Sequence, residues 1–101
     1  MTARDVAFQA DLWEHAGEGG WHFVTLPVPV AEDLRDRAAH VARGFGSLRV
    51  RATVGGTTWA TSVFPSAADR SYVLPVKKQV RRAEGLTAGD RVRVLLELLD
   101  L

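Results

Sequence analysis

The stretch SLRVRATVGGTTWATSVF, residues 47 to 64, decides the fold of this chain. Before the Gly55-Gly56 pair, apolar residues alternate with arginine and threonine, and a second run of strand-forming residues follows the pair. Alternation with a period of two predicts strands with one buried face. A glycine pair between two such runs predicts a tight hairpin turn. Residues 47–54 and 57–64 are therefore predicted to form two antiparallel strands, the second ended by Pro65.

The pattern outside this hairpin predicts four more strands, at residues 6–13, 21–26, 72–74 and 91–99. Two short helices are predicted at residues 30–43 and 76–84, with Gly44 and Gly85 as their C-terminal caps. Because closure removes exposed sheet edges, so many strands in a short chain favour a closed barrel. The predicted fold is therefore mainly β, a small closed or nearly closed barrel of about six to seven strands with two short helices.

The composition predicts one domain, spanning residues 1–101. The chain has no cysteine, which excludes disulfides and thiolate metal sites and fits a reducing compartment. The first residues contain no continuous apolar run, so we expect a cytoplasmic protein without a signal peptide or a membrane partner. The net charge is only +1. Residues 49–101, however, hold nine basic residues against five acidic ones, which indicates a basic face.

Six residues are predicted to bind a ligand. Basic side chains four residues apart form a ridge along the second predicted helix, which suits phosphate or carboxylate groups. This ridge consists of Lys77, Lys78, Arg81 and Arg82. Trp59 and Thr61 are predicted to add an apolar wall and a polar contact. The alternative interpretation is a solvated helix exterior and a tryptophan that packs against the core.

We predict no catalytic residue, no cofactor and no metal site. The three histidines lack the spacing of a metal-binding pair. Ser62 and Ser66 lack the strand–turn–helix context of an activated nucleophile. The glycine-rich residues 17–20 lie between two predicted strands, whereas a phosphate-binding loop joins a strand to a helix.

Sequence blocks over nearly the whole chain carry a resemblance to a known family. They are Trp21, Leu26-Pro27, Gly44-Phe45-Gly46-Ser47, GGTTW at 55–59, TSVFP at 61–65, YVLPVKK at 72–78, VRRAEGL at 80–86 and Gly89-Asp90. In these blocks the chain resembles the bacterial family called domain of unknown function 1905. The resemblance implies a small closed β-barrel with helical insertions, and it implies no reaction.

A shorter stretch, residues 74–94, is similar to the swapped-hairpin DNA-binding fold of AbrB proteins. In both, a strand leads through a proline into a basic helix, a glycine, a Gly-Asp turn and another strand. This resemblance covers about a fifth of the chain. It implies nucleic-acid binding through the basic helix at 76–84.

Three functions follow from these patterns, in order of preference. The first is a non-catalytic binding or accessory module for a small anionic or amphipathic ligand, or for a protein partner. The second is a nucleic-acid-binding protein, which the low net charge disfavours. The third is an enzyme, which would need a cleft where Trp59, Lys78 and a carboxylate converge.

Overall fold

The computed structural model describes residues 5–39 and 46–99, which form a closed antiparallel barrel of six strands with two helices. In chain order the elements are β1 (Asp5–Glu14), β2 (His22–Thr25), α1 (Val28–Arg37), β3 (Leu48–Val54), β4 (Thr57–Ser66), β5 (Ser71–Pro75), α2 (Lys78–Glu84) and β6 (Arg91–Leu98). Around the barrel the strand order is β1-β2-β5-β4-β3-β6, and β6 pairs with β1 to close it. The predicted barrel and the predicted order of strands and helices are confirmed.

The alternating sequence pattern produces the barrel core. Every second residue of β3 and β6 is buried, and the residues between them face solvent or are half-buried. The fully buried side chains along these two strands are valines, leucines and one alanine, which fill the interior. Leu34 of α1 and Val80 of α2 are also buried, so each helix adds an apolar side chain to the same core. Burial of such side chains is the main stabilising contribution to the fold.

The hairpin of β3 and β4 has the register that its glycine pair predicts. Val54 pairs with Thr57 across Gly55-Gly56, and the pairing continues to Leu48 and Val63. Gly55 has φ of 57°, in the left-handed region where glycine is favoured. Trp59 lies opposite the buried Ala52, which places its side chain on the inner side of the strand.

Both helices are shorter than predicted. The first begins at Val28, because Pro29 is tolerated in a first turn whose N–H groups have no helical partner. It ends at Arg37, well before the predicted end at residue 43, and residues 40–43 and the predicted cap at Gly44 lie outside the described residues. The second helix begins at Lys78 and not at residue 76. Its start is delayed because the Val76 N–H donates to the carbonyl of His22, 2.9 Å away, as a continuation of β5.

The prediction that Pro65 ends a strand is wrong, because β4 continues to Ser66. Pro65 lies opposite Tyr72 of β5, while the β3–β4 pairing stops at Val63. The nitrogen of Pro65 faces the β3 side, where no further ladder bond is formed. A proline without an N–H is therefore tolerated at this position.

The strand–helix–strand segment that is similar to AbrB proteins is part of the closed barrel. Its first strand, β5, pairs with β2 and β4, whereas its last strand, β6, pairs with β1 and β3. The two strands are therefore not neighbours in the sheet. This arrangement gives the AbrB resemblance no support at the level of the fold.

Ser71 is a polar residue buried at the start of β5, and we expect its replacement to destabilise the barrel. Its hydroxyl donates to the carbonyl of Leu26 over 2.6 Å, which ties β5 to the segment between β2 and α1. Ser71→Ala leaves that buried carbonyl without this donor. We expect the free energy of unfolding to fall by about 1–2 kcal/mol. Urea denaturation measures the change, and an unaltered midpoint would contradict it.

Among residues 5–39 and 46–99, neither helix has the length or the apolar character required to cross a membrane.

Candidate ligand-binding cleft

A cleft opens where β4 and β5 separate. The two strands pair only at Phe64–Ser66 of β4, opposite Ser71–Val73 of β5. Beyond this point β5 continues alongside β2 and leads into α2, while β4 continues alongside β3. The cleft between them has a volume of about 500 Å³, within the size range of small-molecule sites.

Helix α2 is held over the opening by contacts at both of its ends. At its start, Val76 is buried and hydrogen-bonded to β2. At its end, the Thr57 hydroxyl donates to the Glu84 carboxylate over 2.6 Å, which joins α2 to the first residue of β4. Gly85 follows in the left-handed conformation, with φ of 64°, and its N–H donates to the carbonyls of Arg81 and Arg82 in the last turn. The helix therefore forms one fixed wall of the cleft.

Three cations line the cleft, namely Lys77, Lys78 and Arg81. The two lysines are exposed, and they are the only lysines in the chain. Arg81 is half-buried, and its Nε donates to the carbonyl of Val76 over 3.2 Å. Within the described part of the chain, none of the three forms an ion pair with a carboxylate. The site therefore holds three cations without a direct ion-pair partner among the described residues.

Aromatic side chains form the apolar part of the cleft. Trp21 and Phe64 line it and are 58% and 46% exposed, which is unusual for side chains of this size. Trp59 also lines it, half-buried and packed against the barrel core. The ring of Trp21 stacks on Phe23 with centroids 6.3 Å apart. Gly19 allows this placement, because a Cβ there would lie 3.0 Å from the Trp21 Nε1.

His22 lines the cleft in a tautomer that its neighbours determine. Its Nδ1 lies 2.6 Å from the carbonyl of Gly20, which can only accept, so Nδ1 carries the proton. Its Nε2 lies 3.4 Å from Nη1 of Arg81, which can only donate, and 4.0 Å from the Glu14 carboxylate. The imidazole ring therefore lies between the Gly20 carbonyl and the Arg81 guanidinium at the wall of the cleft.

The structure brings together most of the residues predicted from sequence. Trp59, Thr61, Lys77, Lys78 and Arg81 all line the one cleft, although they come from β4, from α2 and from the turn before it. Arg82 is exposed on α2 and does not line it. That the five residues bind a ligand stays a prediction.

Eight further lining residues were not predicted as ligand contacts, and three of them carry aromatic or imidazole rings: Trp21, His22 and Phe64. Phe64 follows the buried Val63, so the alternation already places Phe64 on the opposite face, and this signal was available in the sequence. Trp21 and His22 reach the cleft through the pairing of β2 with β5. No local pattern in the sequence specifies that pairing.

Comparison with known proteins gives one result that covers the chain. The family model described as Domain of unknown function (DUF1905) matches residues 8–96, and that range includes every residue of the cleft. No curated protein matches the chain.

Proposed function

The chain belongs to the family Domain of unknown function (DUF1905), and from the cleft of this member we propose that it is a non-catalytic binding module for small amphipathic anions. The ligand would have an aromatic or aliphatic body and a carboxylate or phosphate group. The observation that carries this proposal is one cleft that combines exposed aromatic rings with three cations that lack described carboxylate partners.

Arg81 supports the anionic part of the proposal. Its Nε and Nη1 are held by Val76 and His22, which leaves both N–H groups of Nη2 without a partner among the described residues. A guanidinium with a fixed plane and free N–H groups suits the two oxygens of a carboxylate or phosphate. Lys77 and Lys78 add two mobile ammonium groups at the same opening.

The aromatic rings support the amphipathic part. A ligand that covers the exposed faces of Trp21 and Phe64 removes apolar surface from water, which is worth on the order of a few kcal/mol. Association itself costs roughly 4–15 kcal/mol, so the charge interactions have to add to the apolar contacts. We therefore expect small probes to bind with dissociation constants in the millimolar to micromolar range, on the order of 4–8 kcal/mol of binding free energy.

The other two functions have less support at this cleft. An enzyme was expected to combine Trp59, Lys78 and a carboxylate, but the described residues that line the cleft include no aspartate or glutamate. Nucleic acid would use the same rings and cations, and it would add a steep dependence of affinity on salt concentration. An oligonucleotide titration therefore belongs in the same experiment.

The test is calorimetric titration with hydrocinnamate, phenyl phosphate and the neutral hydrocinnamyl alcohol. We expect the two anions to bind and the alcohol to bind more weakly, because the alcohol forgoes the charge interaction. Lys78→Ala should weaken anion binding about three- to tenfold. Arg82→Ala is the matched control, since it removes the same charge from the same helix outside the cleft.

Two results would count against the proposal. One is a loss of specificity, seen either as equal binding of the alcohol and the anions or as an equal loss of affinity in Lys78→Ala and Arg82→Ala. The other is tight, salt-sensitive binding of a single-stranded oligonucleotide together with no binding of either small anion. The second result would favour the nucleic-acid hypothesis.

A further inference from the structure

The edge of β4 that borders the cleft has no neighbouring strand. On one side β4 pairs with β3 from Thr57 to Val63. On the other side it pairs with β5 only from Phe64 to Ser66. Residues 58–62 therefore present an unpaired strand edge, roughly 16 Å long at about 3.3 Å per residue.

Pro75 accounts for the end of the β4–β5 ladder. The Tyr72 carbonyl accepts a hydrogen bond from the Leu26 N–H. The Val76 N–H donates to the His22 carbonyl. Tyr72 and Val76 therefore direct these backbone groups toward β2 and the segment after it. In a strand, alternate residues point to opposite sides, so Pro75 faces β4. The next hydrogen-bonded pair after Phe64 and Val73 would join Ser62 to Pro75. Proline has no N–H to donate, and the ladder stops before it.

As a result, the backbone groups of Ala60 and Ser62 point into the opening. Their partners on β3 are Arg51 and Arg49, and the Arg49 carbonyl accepts from the Leu99 N–H on the opposite side of β3. Both are therefore non-hydrogen-bonded pairs with β3. Within the part of the chain that the structure describes, the N–H and C=O of Ala60 and Ser62 have no backbone partner. Such groups are ready to pair with another main chain.

We propose that the ligand of this cleft is the C-terminal end of an extended peptide, which adds to β4 as a short strand. The proposal rests on the proposed function and names the ligand class. The backbone of Ala60 and Ser62 would pair with peptide amides, and Trp21 and Phe64 would contact an apolar side chain. Lys77, Lys78 and Arg81 would bind the terminal carboxylate. Strand addition of this kind obtains affinity from main-chain hydrogen bonds and specificity from pockets for side chains.

The geometry favours a chain end over a continuous segment. The open edge is closed at one end by the paired residues Phe64 and Val73, where β5 occupies the position of an added strand. A peptide in this space therefore has to end within it. Three cations select a carboxylate end and repel an ammonium end.

The first test uses the wild-type protein and the probe N-acetyl-Thr-Val-Thr-Phe with a free carboxylate. We expect it to bind more tightly than hydrocinnamate, and its C-terminal amide to bind about tenfold more weakly. Two singly N-methylated peptides, altered at successive amides, provide an internal control. Because alternate amides face β4, only one of the two should lose about tenfold in affinity.

Amide hydrogen exchange followed by NMR locates the interaction. We expect the amides of Ala60 and Ser62 to exchange slowly only when the peptide is bound. If hydrocinnamate binds and the peptide does not, or if the peptide binds without slowing these two amides, the strand-addition proposal is overturned while the proposed function stands. If neither probe binds, both proposals fail.

Ala60→Pro provides a second, independent test. It removes the N–H that faces the cleft and leaves the β3–β4 hydrogen bonds in place, because Ala60 forms none with β3. We expect peptide affinity to fall about tenfold while hydrocinnamate binding is retained, and Ala60→Val, which keeps the N–H, to bind the peptide normally. Unchanged peptide affinity in a folded Ala60→Pro protein would overturn the proposal. If that variant does not fold, the N-methylated peptides decide.

Discussion

Leu74→Ala is expected to lower the free energy of unfolding by about 2–5 kcal/mol, out of the roughly 5–15 kcal/mol typical of a whole domain. Leu74 is fully buried and lies opposite the fully buried Val24 of β2. It also lies where β5 has separated from β4 and pairs only with β2. An alanine would leave a cavity that the closed barrel can only partly fill.

Val73→Ala is the matched control for this prediction. Val73 precedes Leu74 on the same strand, but it faces outward and is only half-buried. We expect its replacement to cost about 1 kcal/mol or less. Guanidinium denaturation of both variants measures the difference. Equal losses would mean that the end of β5 is not held by its inward-facing side chain.

Arg81→Ala is expected to weaken hydrocinnamate binding by roughly ten- to hundredfold, the largest effect of any single cleft residue. Arg81 is the half-buried cation of the site, and its guanidinium is held by both Val76 and His22. A held guanidinium loses little conformational freedom when it binds an anion, whereas the exposed lysines lose more. Arg81→Lys keeps the charge but not the planar fork, so its affinity should be intermediate.

A change in stability has to be separated from a change in binding in these variants. Arg81 also donates to the Val76 carbonyl, so its loss will lower the melting temperature to some extent. Arg82→Ala serves as the reference, because it lies outside the cleft on the same helix. The assignment of Arg81 to the site would be wrong if the folded Arg81→Ala protein bound hydrocinnamate as tightly as Arg82→Ala does.

The barrel was predictable because alternation is a local signal. In each strand the alternation of apolar and polar residues shows which face is buried. Gly55-Gly56 and Gly85 mark turns that glycine favours. The helix boundaries were less predictable, because they depend on tertiary pairing. Val76 continues β5 by donating to His22, a residue far away in the sequence, and no property of Val76 itself indicates this bond.

The cleft was predictable in part for the same reason. Lys77, Lys78 and Arg81 are close in sequence, so helical spacing alone groups them, but spacing could not show that Arg82 does not line the cleft. Trp21 joins them only through the pairing of β2 with β5. The effect of Pro75 was also hidden, because it depends on which neighbouring strand its nitrogen faces.

The placement of both lysines at the cleft has a practical consequence for the assays themselves. Amine-reactive reagents modify lysine side chains, and apart from the α-amino group this chain offers them only Lys77 and Lys78. Amine coupling to a sensor surface, or labelling with an amine-directed dye, would therefore attach the protein through the opening under study. Because only these two side chains react, isotope-labelled methyl groups introduced on their amines would report spectroscopically whether a ligand occupies the cleft.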